Sequence, residues 1–484
     1  LALPIFKCEC GHFEVIGSET ELEARAVEGW DQFRGNSPHR PWIDAVKVQC
    51  PECGKKVSRI RDVGNPWLDA GIVPFSTLGY RDDRAHWRQW FPADLISESF
   101  PGQFRNWFYS LLTMSTVLEN TEPFRAVFSY AMMRDDQGNE MHKSKGNAIW
   151  FEDAAERMGV DSMRWVYIRQ RPEANLNFGV GIADGVRRSF LIPLWNVYSF
   201  FVTYANIDGY EPGTEAPAVK DRPELDRWII SELNELIAEV TADLERYDPE
   251  DACARFESFV GYLSNWYVRR SRRRFWKSET DDDKLAAYST LYECLVTLSR
   301  LLAPFVPFLT ETIYQNLARS VASQYESVHL ESYPVADVTK IDRGLSEATR
   351  LAMRLSSLGR AARSKAGLKV RQPLERAVVG LRSASERVAF EQIKDQVRDE
   401  LNVKDVAEME DDGEVVGFHV EADLSKAGPR FGAQTREVVA ALQSLDAREV
   451  YRRASAGRQV EAGDFTLEPD EVLVTRTDAG GFAS

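Results

Sequence analysis

The sequence predicts a multi-domain chain: a metal-knuckle module, part of an open parallel α/β sheet, an all-α bundle and a small α+β domain. Three observations predict it. Four of the six cysteines sit near the N-terminus in two close pairs, each followed by Gly. A strand–helix–strand pattern then leads into a loop holding two closely spaced lysines. Beyond that loop, apolar residues keep a helical period, and strands and helices alternate only towards the C-terminus. At 484 residues and 44% hydrophobic content, roughly three domains and a sizeable core are expected. The net charge of −15 would repel a nucleic acid if spread evenly, so such a partner needs local basic patches.

Residues 1–64 carry Cys8-Glu9-Cys10 and Cys50-Pro51-Glu52-Cys53, closed by Gly11 and Gly54. Thiolate pairs in Gly-containing turns suit a tetrahedral Zn²⁺, and four thiolates leave no open position, so the site is expected to be structural. Metal binding would supply on the order of 10 kcal/mol of folding energy to a module with little core of its own. Cys8 and Cys10 are one residue closer than the usual knuckle, which leaves His12 or His39 as alternative ligands and four unligated thiols as the competing reading. Six cysteines, four of them clustered at ligand-like spacing, are too few for a disulfide scaffold, which points to a reducing cytosol. The opening Leu1-Ala2-Leu3-Pro4 has no basic or long apolar run, so no signal peptide is expected.

Residues 65–180 begin with Asn65–Gly71, which reads as a turn, and a short strand at Phe91–Ile96. Trp107, Phe108, Leu111, Leu112 and Leu118 keep helical spacing, and Ala126–Tyr130 reads as a second strand. The chain then passes Met132 and Met133 to Gly138–Asn147, which contains Met141-His142-Lys143-Ser144-Lys145. Ammonium groups in a loop of small residues suit a triphosphate, because Lys is a compact donor that can follow an anion as its charge moves. Ligands of open parallel sheets sit beyond the strand carboxyl ends, where this loop falls. Gly179–Gly185 reads as a plain loop before a helix.

The run Asn65–Asn147 resembles the distal half of the Rossmann-like catalytic domain of class I aminoacyl-tRNA synthetases, in their isoleucine/valine/leucine branch. The phrases Trp67-Leu68-Asp69-Ala70-Gly71, Pro92-Ala93-Asp94-Leu95-Ile96, Gln103-x-Arg105-x-Trp107-Phe108 and His142-Lys143-Ser144-Lys145-Gly146-Asn147 match the isoleucine enzymes best. The resemblance implies that Lys143 neutralises the phosphates as pyrophosphate leaves, within an ATP site of Met141, His142, Lys143, Ser144 and Lys145. It also implies that Glu98, with Gln103 and Trp67, contacts the aminoacyl-adenylate, that Mg²⁺ accompanies ATP, and that the partners are isoleucine and tRNA(Ile). Glu140 stands where the family signature has its first Lys, His142 where it has its first Ser, and Glu98 lies one residue farther from Gln103 than usual. Lys145 is a candidate to compensate the lost charge. From the residues alone, the competing readings are a helix-initiating acid for Glu98 and a solvated basic loop for the lysines. No His-x-Gly-His element occurs, and that element holds the other half of the family's nucleotide site, so the chain looks like the back part of an enzyme. On this view it has no editing insertion and does not exchange pyrophosphate with ATP by itself.

Residues 181–335 read as a bundle, with helices over Val186–Gly209, Leu225–Tyr247, Ala286–Leu302 and Pro304–Leu317 and a Pro/Gly linker at Gly209–Pro223. The charge-free run Ser189–Ile207 holds Pro193, Asn196, Ser199, Thr203 and Asn206, which suits a buried helix rather than a membrane span. Phe256, Phe259, Leu263, Trp266 and Tyr267 form a core stripe that continues into Arg270 and Arg274. A stripe turning cationic suggests a helix emerging onto a phosphate-rich partner, and Arg269, Arg270, Arg272, Arg273, Arg274 and Lys277 are the candidates. The resemblance makes this an anticodon-binding bundle. The competing reading is cationic capping of the helix end against Glu279, Asp281, Asp282 and Asp283.

Residues 336–484 open with an amphipathic helix, Leu345–Ala362, followed by a second cationic patch that contains Lys369 and Arg371. Val370-Arg371-Gln372-Pro373-Leu374 again resembles the isoleucine enzymes, and a solvated face is the alternative. Strands at Ala377–Leu381, Val415–Val420 and Val472–Thr475, with helices at Glu386–Leu401 and Gln434–Ala454, predict a small α+β domain. The leading expectation is a monomeric, cytoplasmic aminoacyl-tRNA ligase. A non-catalytic tRNA-binding module and a zinc-dependent scaffold are the rival classes.

Overall fold

The structure, a computed structural model, describes residues 2–142, 146–277, 279–318, 325–409 and 416–478. They fall into two units. One comprises Leu1–Ile192 with Ala242–Ala254 and Pro304–Leu309, the other Pro193–Thr241, Arg255–Ala303 and Thr310–Ser484.

The first unit starts with two small antiparallel sheets, β1 (Ile5–Lys7) with β2 (Phe13–Val15), and β3 (Ala26–Glu28), β4 (Lys47–Gln49) and β5 (Lys56–Ser58). Phe6, Ile16, Leu22, Phe33, Val46 and Val48 make a core that also takes in Cys8 and Cys50. Helix α1 (Pro66–Ser76) follows, then β6 (Ala93–Ser99), α2 (Trp107–Glu119) and β7 (Phe124–Tyr130). Strands β6 and β7 are parallel, with Glu98 opposite Ser129, so the expected strand–helix–strand unit is present. A second parallel pair, β8 (Met133–Arg134) with β9 (Leu176–Asn177), brackets the lysine loop.

Three local expectations change. Asn65–Gly71 is not a turn but the start of α1: Asn65 Oδ1 accepts the Trp67 amide at 2.9 Å and Pro66 occupies the first turn, a helix-start pairing. Gly71 lets α1 press onto α2, because a Cβ there would lie 2.7 Å from the Ser110 backbone. Strand β6 runs on to Ser99, which places Glu98 in the strand rather than in a helical turn. After Gly179 the chain is helical from Val180, so the expected loop is only its first residue.

The bundle helices, most of whose residues belong to the second unit, are α3 (Ile192–Asp208), α4 (Glu224–Glu245), α5 (Pro249–Tyr262), α6 (Arg269–Trp276), α7 (Asp282–Leu302), α8 (Pro307–Leu317) and α9 (Arg343–Lys365). A π-helical stretch, Leu263–Val268, joins α5 to α6. The stripe Phe256, Phe259, Leu263, Trp266 and Tyr267 is fully buried, as its spacing predicts. Among the described residues one helix, Val180–Asp208, is long and apolar enough to cross a membrane by length and composition. Its Phe201 packs edge-on against Tyr288 and Tyr198 receives a hydrogen bond from Asn316, which are contacts of a bundle helix.

Beyond α9, β10 (Leu374–Val379), α10 (Ala384–Leu401) and β11 (Val403–Glu408) form a parallel strand–helix–strand unit. Antiparallel β12 (Val416–Ala422) and β15 (Val472–Asp478) carry helices α11 (Leu424–Phe431), α12 (Thr435–Gln443) and α13 (Ala447–Ser455), with hairpin β13 (Val460–Ala462) and β14 (Phe465–Leu467). The single helix expected over Gln434–Ala454 is two, because Asp446 caps a fresh start by accepting the Arg448 and Glu449 amides. Strand β11 and the hairpin were not anticipated. Residue 415 of the expected strand lies outside the described residues.

Candidate functional site

The two cysteine pairs sit in the turns of two hairpins. The Gly11 amide donates to the Cys8 carbonyl at 3.0 Å and the Gly54 amide to the Cys50 carbonyl at 2.9 Å. Both glycines have positive φ, +96° and +70°, the conformation such turns require. The pairs interleave: Cys8 Sγ lies 3.4 Å from Cys53 Sγ, Cys10 Sγ lies 3.6 Å from Cys50 Sγ, and all four sulfurs fall within 4.8 Å of one another. Four thiolates on a tetrahedral ion with bonds near 2.3 Å would be spaced by roughly 3.8 Å, so the cluster has the right size. The short Cys8–Cys10 spacing is therefore no obstacle. His12 points to Glu14 and Glu52 instead, and His39 to Ser37, so neither joins the set. Backbone donation from Cys10 and contact with Cys53 pull the Cys8 thiol down to about 7. Cys10 accepts the His12 amide, yet burial and its thiol neighbours push it up to about 12.

The second site lies at the carboxyl end of β6 and β7. The Glu98 carboxylate accepts from the Ser99 amide at 2.8 Å and from the Tyr130 hydroxyl at 3.2 Å, while Ser129 Oγ donates to the Glu98 carbonyl. Burial, then the charge of Glu98, raises the Tyr130 phenol, which keeps it a donor. Gln103 closes the short helix that follows, and its Oε1 accepts the Trp107 amide at 3.4 Å at the start of α2. Trp67, half-buried at the start of α1, has no hydrogen bond or ring contact to Glu98 or Gln103 among the described residues.

Of the lysine loop, Lys143, Ser144 and Lys145 lie outside the described residues, whereas Met141, His142 and both flanks are described. The flanks meet at Asp135 and Asn147, which sequence reasoning did not single out as site residues. Asp135 accepts the Gln137 and Asn139 amides and, at 2.9 Å, Asn147 Nδ2. Asn147 in turn accepts the His142 amide at 2.9 Å and donates to the Glu140 carbonyl at 3.1 Å. One amide side chain thus ties the exit of the loop to its entry. Donation from Asn147 and from the backbone holds the Asp135 carboxyl below its usual range. The Asp135–Gly138 turn composition was the available signal.

The basic helix divides into inward and outward arginines. Arg274 pairs both its Nη atoms with the buried Asp226, at 2.8 and 2.6 Å, and its Nε with Asp283 at 2.8 Å. The buried Tyr267 hydroxyl donates to the same Asp226. Arg274 is thus a core ion pair and not a surface cation. Lys277 pairs with Asp281 and Asp283, the capping arrangement that competed with a partner role. Arg269 and Arg270 share Glu400. Arg272 and Arg273 are exposed and make no ion pair among the described residues. In the second patch Lys369 and Arg371 are exposed, whereas Arg363 is buried and donates to the carbonyls of Lys369, Gln372, Leu401 and Asn402.

A parallel strand pair with a helix crossover, a loop at its carboxyl end and a following helical bundle agree with two family models. Residues 5–178 match "tRNA synthetases class I (I, L, M and V)" and residues 226–379 match "Anticodon-binding domain of tRNA ligase". The chain thus carries the domains of class I tRNA synthetases. Among these it is similar to isoleucine–tRNA ligases. It is 44% identical over 487 residues to that of Dehalococcoides mccartyi, covering 95% of this chain and 46% of the relative. It is 39% identical over 492 residues to that of Thermus thermophilus, covering 99% and 46%. The chain thus spans about half the length of the curated relatives it matches. A solved structure titled as a LeuRS–tRNA–LeuAMS ternary complex from Agrobacterium radiobacter K84 has a TM-score of 0.51 at 20% identity, covering 70% of this chain and 41% of that one, a likeness of fold alone.

Proposed function

We propose that this chain is part of an isoleucine–tRNA ligase, which activates isoleucine with ATP and Mg²⁺ to the aminoacyl-adenylate and transfers it to tRNA(Ile). The observation that carries the reading is the 44% identity to an isoleucine–tRNA ligase along 95% of the chain. Glu98 at the strand end, held by Ser99 and Tyr130, would contact the adenylate, and Gln103 and Trp67 would contribute to the same pocket. Lys143, with Met141, His142, Ser144 and Lys145, would meet the phosphates as charge moves onto the departing pyrophosphate, and the Asp135–Asn147 tie would fix the ends of that loop. The mechanism is electrostatic and needs no protein nucleophile. Cys8, Cys10, Cys50 and Cys53 would hold one structural Zn²⁺, a set closed to water and therefore not catalytic. Arg272, Arg273, Lys369 and Arg371 are the exposed cations offered to tRNA phosphates, with Arg269 and Arg270 beside them. The protein would work as a cytoplasmic monomer.

The test is Lys143→Ala in the active enzyme that carries these residues. Isoleucine-dependent ATP–pyrophosphate exchange should fall by roughly 10²–10³ in rate, the usual effect of removing one preorganised charge partner. Unchanged exchange would remove Lys143 from the mechanism.

A further inference from the structure

Arg269 and Arg270 of α6 and Arg360 of α9 converge on one carboxylate of a third helix, Glu400 near the end of α10. Arg269 Nη2 and Arg360 Nη1 donate to Glu400 Oε2 at 2.7 and 2.9 Å, and Arg270 Nη1 donates to Oε1 at 2.7 Å. The Glu400 side chain is 6% exposed, whereas those of Arg269, Arg270 and Arg360 are 41%, 22% and 38% exposed. One guanidinium suffices to neutralise one carboxylate. Three leave two positive charges uncompensated by Glu400, and it takes only one N–H from each five-donor fork.

The surroundings hold the arginines in place. Arg269 and Arg270 lie over the Trp266 ring, 5.7 and 5.1 Å from its centroid, and Arg269 Nε donates to the Asn265 carbonyl at 2.8 Å. A Cβ at Gly359 would lie 2.6 Å from the Leu401 side chain, so the glycine lets α9 run close to the end of α10 and deliver Arg360. The nearby acids Asp395 and Asp399 face Arg398, at 2.7 and 3.9 Å. Arg272 and Arg273 extend the positive surface along α6.

We infer that Glu400 is a positioning residue, which gathers Arg269, Arg270 and Arg360 into a docking point for the phosphodiester backbone of an RNA partner. The inference deepens the tRNA reading above and rests on it. A brace between helices needs one arginine and no exposed donors; a phosphate needs oriented forks with charge to spare.

Binding of the full 484-residue chain to a tRNA(Ile) transcript, measured over a salt series, tests it. The double variant R269Q/R360Q leaves Glu400 paired with Arg270. It should weaken binding on the order of tenfold and flatten the log–log salt slope by about 0.7–0.9 for each phosphate no longer neutralised. E400Q makes the local charge more positive, yet should weaken binding because the forks lose their common acceptor. Should E400Q misfold, R269K/R360K keeps the charges but loses the forks, and should show intermediate affinity. R387Q, which breaks an exposed pair with Glu408, should change nothing. Tighter binding by E400Q would overturn the inference. So would a double variant that melts earlier with an unaltered salt slope, since the cluster would then be only a brace. If the unmodified chain does not bind the transcript at all, the tRNA reading falls and the docking point with it.

Discussion

The cysteine module and the helical bundle bury their polar groups for opposite reasons. The module packs ten buried residues into its core cluster, and two of those are the thiols Cys8 and Cys50. So little apolar surface offsets only part of the conformational entropy of some sixty residues, and on the zinc reading proposed above a metal cross-link would supply the rest. The bundle has dozens of buried side chains, among them Trp228, Tyr267, Phe256 and Tyr314, and needs no cross-link. It nevertheless buries Asp226 against Arg274, and Lys284 against Asp208. Such pairs add little net stability, because desolvation opposes their attraction; the role left to them as a hypothesis is to specify which helix faces fit together. On that reading, buried polar groups would supply stability where the core is small and register where it is large.

Metal removal should produce the largest contrast. A chelator strong enough to strip four thiolates should release amide protection throughout β1–β5 while leaving protection in α4, α5 and α7 unchanged, as read by hydrogen exchange. Equal loss in both regions, or none in the module, would end the comparison. Next in size, Asp226→Ala strands Arg274 and the Tyr267 hydroxyl in the bundle core and should cost about 3–5 kcal/mol in denaturant melts. The paired change Asp226→Leu with Arg274→Met should cost much less. A double variant as unstable as the single one would mean that the pair contributes more than register. The smallest effect concerns Glu400. Burial works to raise its carboxyl, but Arg269, Arg360 and Arg270 hold it below the usual range. A carboxyl depressed in the folded state contributes stability that is complete above its unfolded value, near about 4.3, and is lost as pH falls through the folded value. Stability of the unmodified chain should therefore drop more steeply on acidification than that of E400Q.

Much of the candidate site was legible because its signals are local. Gly11 and Gly54 mark the turns that hold the cysteines, and alternation of strand and helix spacing located β6, α2 and β7. Misreadings arose where one short pattern has two outcomes. Asn65-Pro66 serves a turn or a helix start equally, and the close approach of α2 at Gly71 accompanies the helix. Gln434–Ala454 has continuous helical spacing, yet the Asp446 cap interrupts it.

The cationic helix separates the two kinds of information most clearly. Sequence alone determined that Arg269–Trp276 is helical, that its apolar stripe runs into arginines, and that each cysteine pair sits in a Gly-closed turn, since each follows from spacing along a few turns of chain. Which arginines face inward was decided only by the fold. Arg274 meets Asp226 across 48 residues of sequence and Arg270 meets Glu400 across 130, and no periodicity encodes a partner that far away. A long-range ion pair exists only once packing brings its helices together, because until then water solvates both charges at least as well as they solvate each other.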